Sequence, residues 1–160
     1  MEQIIEEQSF ADGFAVGELT GRLKHQAPSH LKEWVALDKI KDFKSVLRKY
    51  CYRITGVSAH QSDSNQVLLT AEKFADGVDS KMILAFANGD RFMDGWEAGC
   101  LAGWLRYTQP EAVEEWVKVT NMDAIQTVVD EYGYGIKALQ LHPEYKKWIQ
   151  LTAQRKPTNG

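Results

Sequence analysis

Little in this chain of 160 residues marks a function outright, and the shortages come first. There are two cysteines, Cys51 and Cys100, too few for a disulfide framework. Neither charge dominates: 19 Lys and Arg stand against 22 Asp and Glu, a net charge of −3. That balance gives no general attraction to nucleic acid or to an anionic membrane. No apolar run approaches the ~18 residues of a membrane span. The start, Met1-Glu-Gln-Ile-Ile-Glu-Glu, lacks the basic and apolar regions of a signal peptide. Cys-x-x-Cys, His-Glu-x-x-His, a phosphate-cradling glycine loop and a nucleophile elbow are all missing. These shortages predict a cytoplasmic protein with reduced thiols, no metal, no cofactor, and neither membrane nor nucleic acid among its partners.

What is present is a duplication. Displaced by 82 residues, the chain aligns with itself without a gap, giving 19 identities between residues 10–71 and 92–153. Chance would give about four at a match rate of roughly 6% per position. Phe10, Asp12, Gly13, Gly17, Leu19, Gly21 and Leu23 meet Phe92, Asp94, Gly95, Gly99, Leu101, Gly103 and Leu105. Glu33-Trp34-Val35 meets Glu115-Trp116-Val117. Tyr50, Tyr52 and His60 meet Tyr132, Tyr134 and His142. Cys51 and Cys100 break the pattern, facing Gly133 and Glu18. The expected organisation is a first repeat over 1–77, a connecting helix or linker over 78–90, and a second repeat over 91–160. The two repeats form one body related by a pseudo-two-fold axis.

Within each repeat the apolar spacing reads as helical, which predicts an all-α fold of two four-helix modules. The first helix runs from an N-cap at Ser9 to His25. The second starts at Pro28, or Pro110, and carries Leu31, Trp34 and Val35, or Val113, Trp116 and Val117, at i, i+3, i+4. The third carries Ile40, Phe43, Val46 and Leu47. The fourth covers about 64–74, and 143–155 in the second repeat.

The glycines carry the most information. Gly13, Gly17 and Gly21 recur every four residues, as do Gly95, Gly99 and Gly103. Each costs a helix roughly 1 kcal/mol against alanine, so six in register need a reason. Residues four apart share one face, which predicts bare backbone on bare backbone at a helix seam.

The second repeat holds surplus aromatics. Trp96, Trp104 and Trp148 replace Phe14, Arg22 and Gln66, and Tyr107 follows on the same helix. Tryptophan is enriched at binding hot spots, so Trp104, Tyr107, Trp96 and Trp148 are the candidate contacts for another protein. A rival site for a small molecule, or for catalysis, would lie between the repeats. It would be lined by Trp34, Trp116, Tyr50, Tyr132, His60 and His142. No catalytic constellation accompanies these residues, and His60 and His142 also suit loop or cap positions.

Gly95-Trp96-Glu-Ala-Gly99, Gln126-Thr-Val128-Val129-Asp-Glu-Tyr132 and His142-Pro143-Glu144 together give a resemblance. The second repeat resembles the small all-helical immunity proteins that neutralise type VI secretion amidase toxins; the first keeps part of the pattern. The resemblance implies a helical scaffold that inhibits by stoichiometric binding. The functional expectation is thus a non-enzymatic protein-binding module of inhibitor, immunity or adaptor type, as monomer or homodimer.

Overall fold

The computed structural model describes residues 2–82, 84 and 89–157. Each repeat runs helix, strand, helix, strand, strand. The first comprises α1 (Glu2–His25), β1 (His30–Ala36), α2 (Ile40–Lys49), β2 (Tyr52–Ala59) and β3 (Gln66–Lys73). The second comprises α3 (Gly89–Thr108), β4 (Ala112–Lys118), α4 (Met122–Glu131), β5 (Tyr134–Leu141) and β6 (Trp148–Arg155). A single 3-10 turn leads into α2 and into α4. Both sheets are antiparallel, with orders β1-β3-β2 and β4-β6-β5.

The fold is therefore α+β, and the all-α expectation falls. The Leu31, Trp34, Val35 stripe belongs to a strand: Leu31 and Val35 are buried, while Trp34 faces out and is 52% exposed. Leu31 and Val35, four apart, share a face in a strand as in a helix, whereas Trp34 at odd spacing turns outward, and pairing with β3 decides the outcome. The expected fourth helices are β3 and β6. Val67, Leu69 and Ala71 alternate inward with period two along β3. Two strands, β2 and β5, stand where no element was expected. The resemblance to all-helical immunity proteins falls with the fold: His142-Pro143-Glu144 lies in the β5–β6 loop, between strands. Ser9 lies inside α1, which starts seven residues earlier than expected. Of the expected connecting helix, residues 78–82 are irregular and Gly89 already belongs to α3; residues 83 and 85–88 lie outside the described residues.

Each sheet packs one face on helices. In the first repeat Val16, Leu19 and Leu23 of α1 and Phe43, Val46 and Leu47 of α2 meet Leu31, Val35, Leu69 and Ala71. Burying each such aliphatic side chain stabilises the fold by about 1.5–3 kcal/mol. The long helices also trade side chains: Phe92 enters the first core, while Phe10 and Phe14 pack on the second.

The six glycines lie where α1 and α3 touch. A Cβ placed on Gly13, Gly17 or Gly21 would stand 1.9, 2.2 and 2.2 Å from the carbonyl oxygens of Phe92, Trp96 and Cys100. On Gly95, Gly99 or Gly103 it would stand 2.0, 2.2 and 2.3 Å from those of Phe10, Phe14 and Glu18. Contacts that climb both helices together make the pair parallel. Both C-terminal ends thus emerge on the same side of the body, each leading directly into its own sheet.

Candidate functional site

Parallel packing creates two equivalent pockets, one on each flank of the seam. The first, of about 180 Å³, is lined by Glu18, Glu33, Trp34, Phe43, Arg106 and Tyr107, among others. Here the chain satisfies its own charges. Arg22 donates to Glu33 at 2.8 Å, and Arg106 donates to Glu18 at 2.6 Å. The two guanidinium carbons lie 4.6 and 5.0 Å from the centre of the Tyr107 ring. Burial lifts the Glu33 carboxyl above its ordinary range, and Arg22 opposes that shift.

The second pocket, of about 200 Å³, is lined by Lys24, Tyr50, Trp96, Glu97, Cys100, Glu115, Trp116 and Trp148, among others. Glu97 accepts from Asn121 Nδ2 at 3.0 Å and from the Lys118 backbone N–H at 3.3 Å. Burial raises the pKa of both Glu97 and Glu115, and Lys24 offsets part of the effect at Glu115. Burial also pushes the Cys100 thiol well up, which leaves it a poor nucleophile. His25 stacks on Trp104, with ring centroids 4.2 Å apart and planes 5° off parallel.

A third feature is the uncovered face of the second sheet. Alternation along β6 points Trp148, Gln150, Thr152 and Gln154 away from the buried Leu151 and Ala153. Register places Gln140 and Trp116 on either side of Gln150, and Ala138 and Glu114 on either side of Thr152. Among the described residues, the side chains of Gln140, Gln150, Thr152 and Gln154 form no hydrogen bond within the chain. The first sheet differs, because its face is internally paired through Arg53–Glu72 and Thr55–Thr70. Along one edge of the second sheet Trp116, His142 and Tyr145 form a row, with centroids 5.0 and 4.8 Å apart, and Tyr145 is 63% exposed.

The expected residues are scattered among these features. Trp104 is half-buried between His25 and the second core, and Tyr107 is half-buried beneath two arginines. Trp96 packs on the first core and donates to Thr20 Oγ1 at 3.1 Å. Trp96 and Trp148 meet in the second pocket, so Trp104, Tyr107, Trp96 and Trp148 do not share one surface. The rival set also divides. Trp34 touches His60 on one sheet and Trp116 touches His142 on the other; Tyr50 joins the second pocket, and Tyr132 lines a separate hollow with Tyr134 and Arg155. His60 and His142 shape loops. Each accepts two backbone N–H groups at Nδ1, from Ser62 and Asp63 or from Glu144 and Tyr145. Among the described residues no group of three His, Cys, Asp or Glu side chains could hold a metal, and no helix is long and apolar enough to cross a membrane.

Sequence reading passed over Glu97 and the glutamine row. Glu115 stands out in the repeat because it matches Glu33, whereas Arg22, the partner of Glu33, faces Trp104.

No protein-family model matches the chain, and no curated protein does. Among solved structures, the crystal structure of the N-terminal LAGLIDADG domain of DUF199/WhiA is similar over 95% of this chain and 83% of that chain. The identity is 11% and the TM-score 0.31, too low to carry an argument.

Proposed function

We propose that the protein is a nucleic-acid-binding module that uses the open face of its second sheet and the β5–β6 loop. The carrying observation is a local reversal of charge. Between Tyr134 and Lys156 stand Lys137, Lys146, Lys147, Arg155 and Lys156 against Glu144 alone, a balance of +4 in a chain of net −3, and with Arg155 held by Glu111 four lysines remain against Glu144. The expectation of no nucleic-acid partner rested on the total, which averages over this island. The corresponding stretch of the first repeat, 52–74, holds Arg53 and Lys73 against Asp63 and Glu72 and is neutral.

The chemistry of the face fits that partner. Cations at the rim suit phosphates, and unpaired amide and hydroxyl side chains suit base edges. The row from Trp116 to Tyr145 offers rings on which a base can stack. The loop supports the assignment, since Tyr145-Lys146-Lys147 replaces Asp63-Ser64-Asn65.

The test is fluorescence anisotropy with labelled duplex and single-stranded oligonucleotides across a salt series. Affinity should fall with salt at a slope of roughly −0.7 to −0.9 per phosphate contact. The double variant Lys146→Glu, Lys147→Glu should weaken binding more than about tenfold, or 1.4 kcal/mol. Absence of binding at low salt, or binding indifferent to that variant, would sink the assignment.

A second reading, stoichiometric binding of another protein, is favoured by a different observation. Leu139 and Leu141 of β5 are 49% and 46% exposed, on the face whose other end is core. Leu139→Lys would abolish capture of a protein partner while leaving oligonucleotide binding intact.

A further inference from the structure

The two pockets beside the seam are equivalent in place but not in content. In the first, the guanidinium of Arg22 lies against the Glu33 carboxylate and over the Tyr107 ring. The offset of 82 carries Glu33 onto Glu115 and Trp34 onto Trp116, but it carries Arg22 onto Trp104, which has no cation to give. Glu115 accepts the Trp116 backbone N–H and forms no ion pair among the described residues. Ala15 of the first pocket is matched by Glu97, which adds a second carboxylate. The first site balances Glu18 and Glu33 with Arg22 and Arg106. The second pocket has Lys24, exposed at the rim, among its lining residues, and Lys118 acts on Glu97 from outside the lining. Among the described residues Glu115 has no guanidinium partner of the kind that Glu33 has. Tyr50, Trp96, Trp116 and Trp148 are also among its lining residues, and aromatic rings attract positive charge.

We propose that the second pocket binds a small organic cation, a guanidinium or primary ammonium on a short aliphatic chain, with Glu115 as its ion partner. The internal twin is the template: a carboxylate on the first strand and the face of the Tyr107 ring already hold a guanidinium there. A planar guanidinium can meet Glu115 through two parallel N–H donations, which a point-charge ammonium cannot. A guanidinium should therefore bind more tightly than an ammonium of equal chain length. The site shares Trp116 and Trp148 with the open sheet face but none of its glutamines or loop lysines, so Lys146→Glu, Lys147→Glu, which should leave cation binding unchanged, separates it from the nucleic-acid reading.

The experiment titrates the protein with n-butylguanidinium, n-butylammonium and n-butylurea, read by tryptophan fluorescence and calorimetry. The urea matches the guanidinium in shape and lacks its charge. Saturable binding of n-butylguanidinium is expected, with n-butylurea at least about tenfold weaker. Glu115→Gln should weaken the guanidinium by a similar factor, while Glu33→Gln, in the twin pocket, should leave it unchanged. Trp104→Arg puts a guanidinium at the position that matches Arg22 of the twin and should abolish binding of the free cation. Equal affinities for n-butylguanidinium and n-butylurea would overturn the proposal. So would no saturable binding up to about 10 mM, where ΔG would be weaker than roughly −3 kcal/mol. A folded Glu115→Gln or Trp104→Arg variant that binds like the parent would overturn it as well.

Discussion

Adding one methyl group at Gly17 should open the centre of the molecule. Its Cβ would stand 2.2 Å from the Trp96 carbonyl oxygen, 2.9 Å from the Trp96 carbonyl carbon and 2.9 Å from the Cys100 nitrogen. All three are helical backbone atoms, so no rotamer change can relieve the contact. Carbon–oxygen contact needs more than about 3 Å, so α1 and α3 must separate or slide by roughly 1 Å. That movement loosens the neighbouring contacts at Gly13 and Gly21, where dispersion falls off steeply with a gap of this size. Alanine gains about 1 kcal/mol in helix propensity. Overpacking costs typically 1–3 kcal/mol, and a clash against backbone belongs at or above the top of that range. The net expectation for Gly17→Ala is a loss of about 2 kcal/mol, which lowers Tm by roughly 4–8 °C in a chain of this size. Gly99→Ala meets the Phe14 carbonyl oxygen at 2.2 Å and should behave alike. Gly135→Ala is the control, because its Cβ would meet only the flexible Lys156 side chain, at 3.4 Å. Thermal melts and urea titrations followed by circular dichroism give the answer. Midpoints that hold or rise for Gly17→Ala and Gly99→Ala would refute the close-packed seam.

Two further outcomes follow from the same geometry. Cys51 has φ of 65°, the left-handed region, and its counterpart Gly133 has φ of 80°; Cys51→Gly should stabilise by about 0.5–1 kcal/mol, and a lower melting midpoint would show that the thiol contributes packing instead. Burial holds the His25 imidazole at about 4, below its ordinary 6.5, so the fold favours its neutral form. That contribution is complete above the ordinary value and is lost as pH falls toward 4. The urea midpoint should drop between about pH 7.5 and pH 5, and His25→Phe should flatten the drop. The raised carboxyls of Glu33, Glu97 and Glu115 act with the opposite sign, losing stability as pH rises through their range.

Some of this architecture could be read from residue order and some could not. The glycine spacing was legible because backbone contact demands an absent side chain at a fixed interval, and no other residue meets that demand. The helix carrying Phe43, Val46 and Leu47 was legible because its polar face is plainly charged, through Lys41, Asp42, Lys44, Arg48 and Lys49. The strands were not. His30-Leu-Lys-Glu-Trp-Val-Ala36 contains good helix formers, and only pairing with β3 makes it extended. Tyr134-Gly-Ile-Lys-Ala-Leu-Gln-Leu141 shows little inside–outside contrast, because β5 runs beyond the helix that covers its start and is exposed over its last five residues. The pockets were half legible. Glu33 and Glu115 stand out in the alignment, but the pairing of Arg22 with Glu33 arises across the fold.

Joining the two repeats in one chain has a consequence for how such a molecule can change. In a homodimer of one repeat, any substitution at the seam appears twice, and a residue suited to one flank is imposed on the other. Covalent fusion removes that constraint. Arg22 can remain an internal counter-ion while Trp104 takes its place across the axis, and Ala15 can stay small while Glu97 becomes acidic. One flank is then free to keep the body neutral and closed, and its sibling is free to specialise. The linked duplicate is, in effect, a dimer released from the obligation to be symmetric.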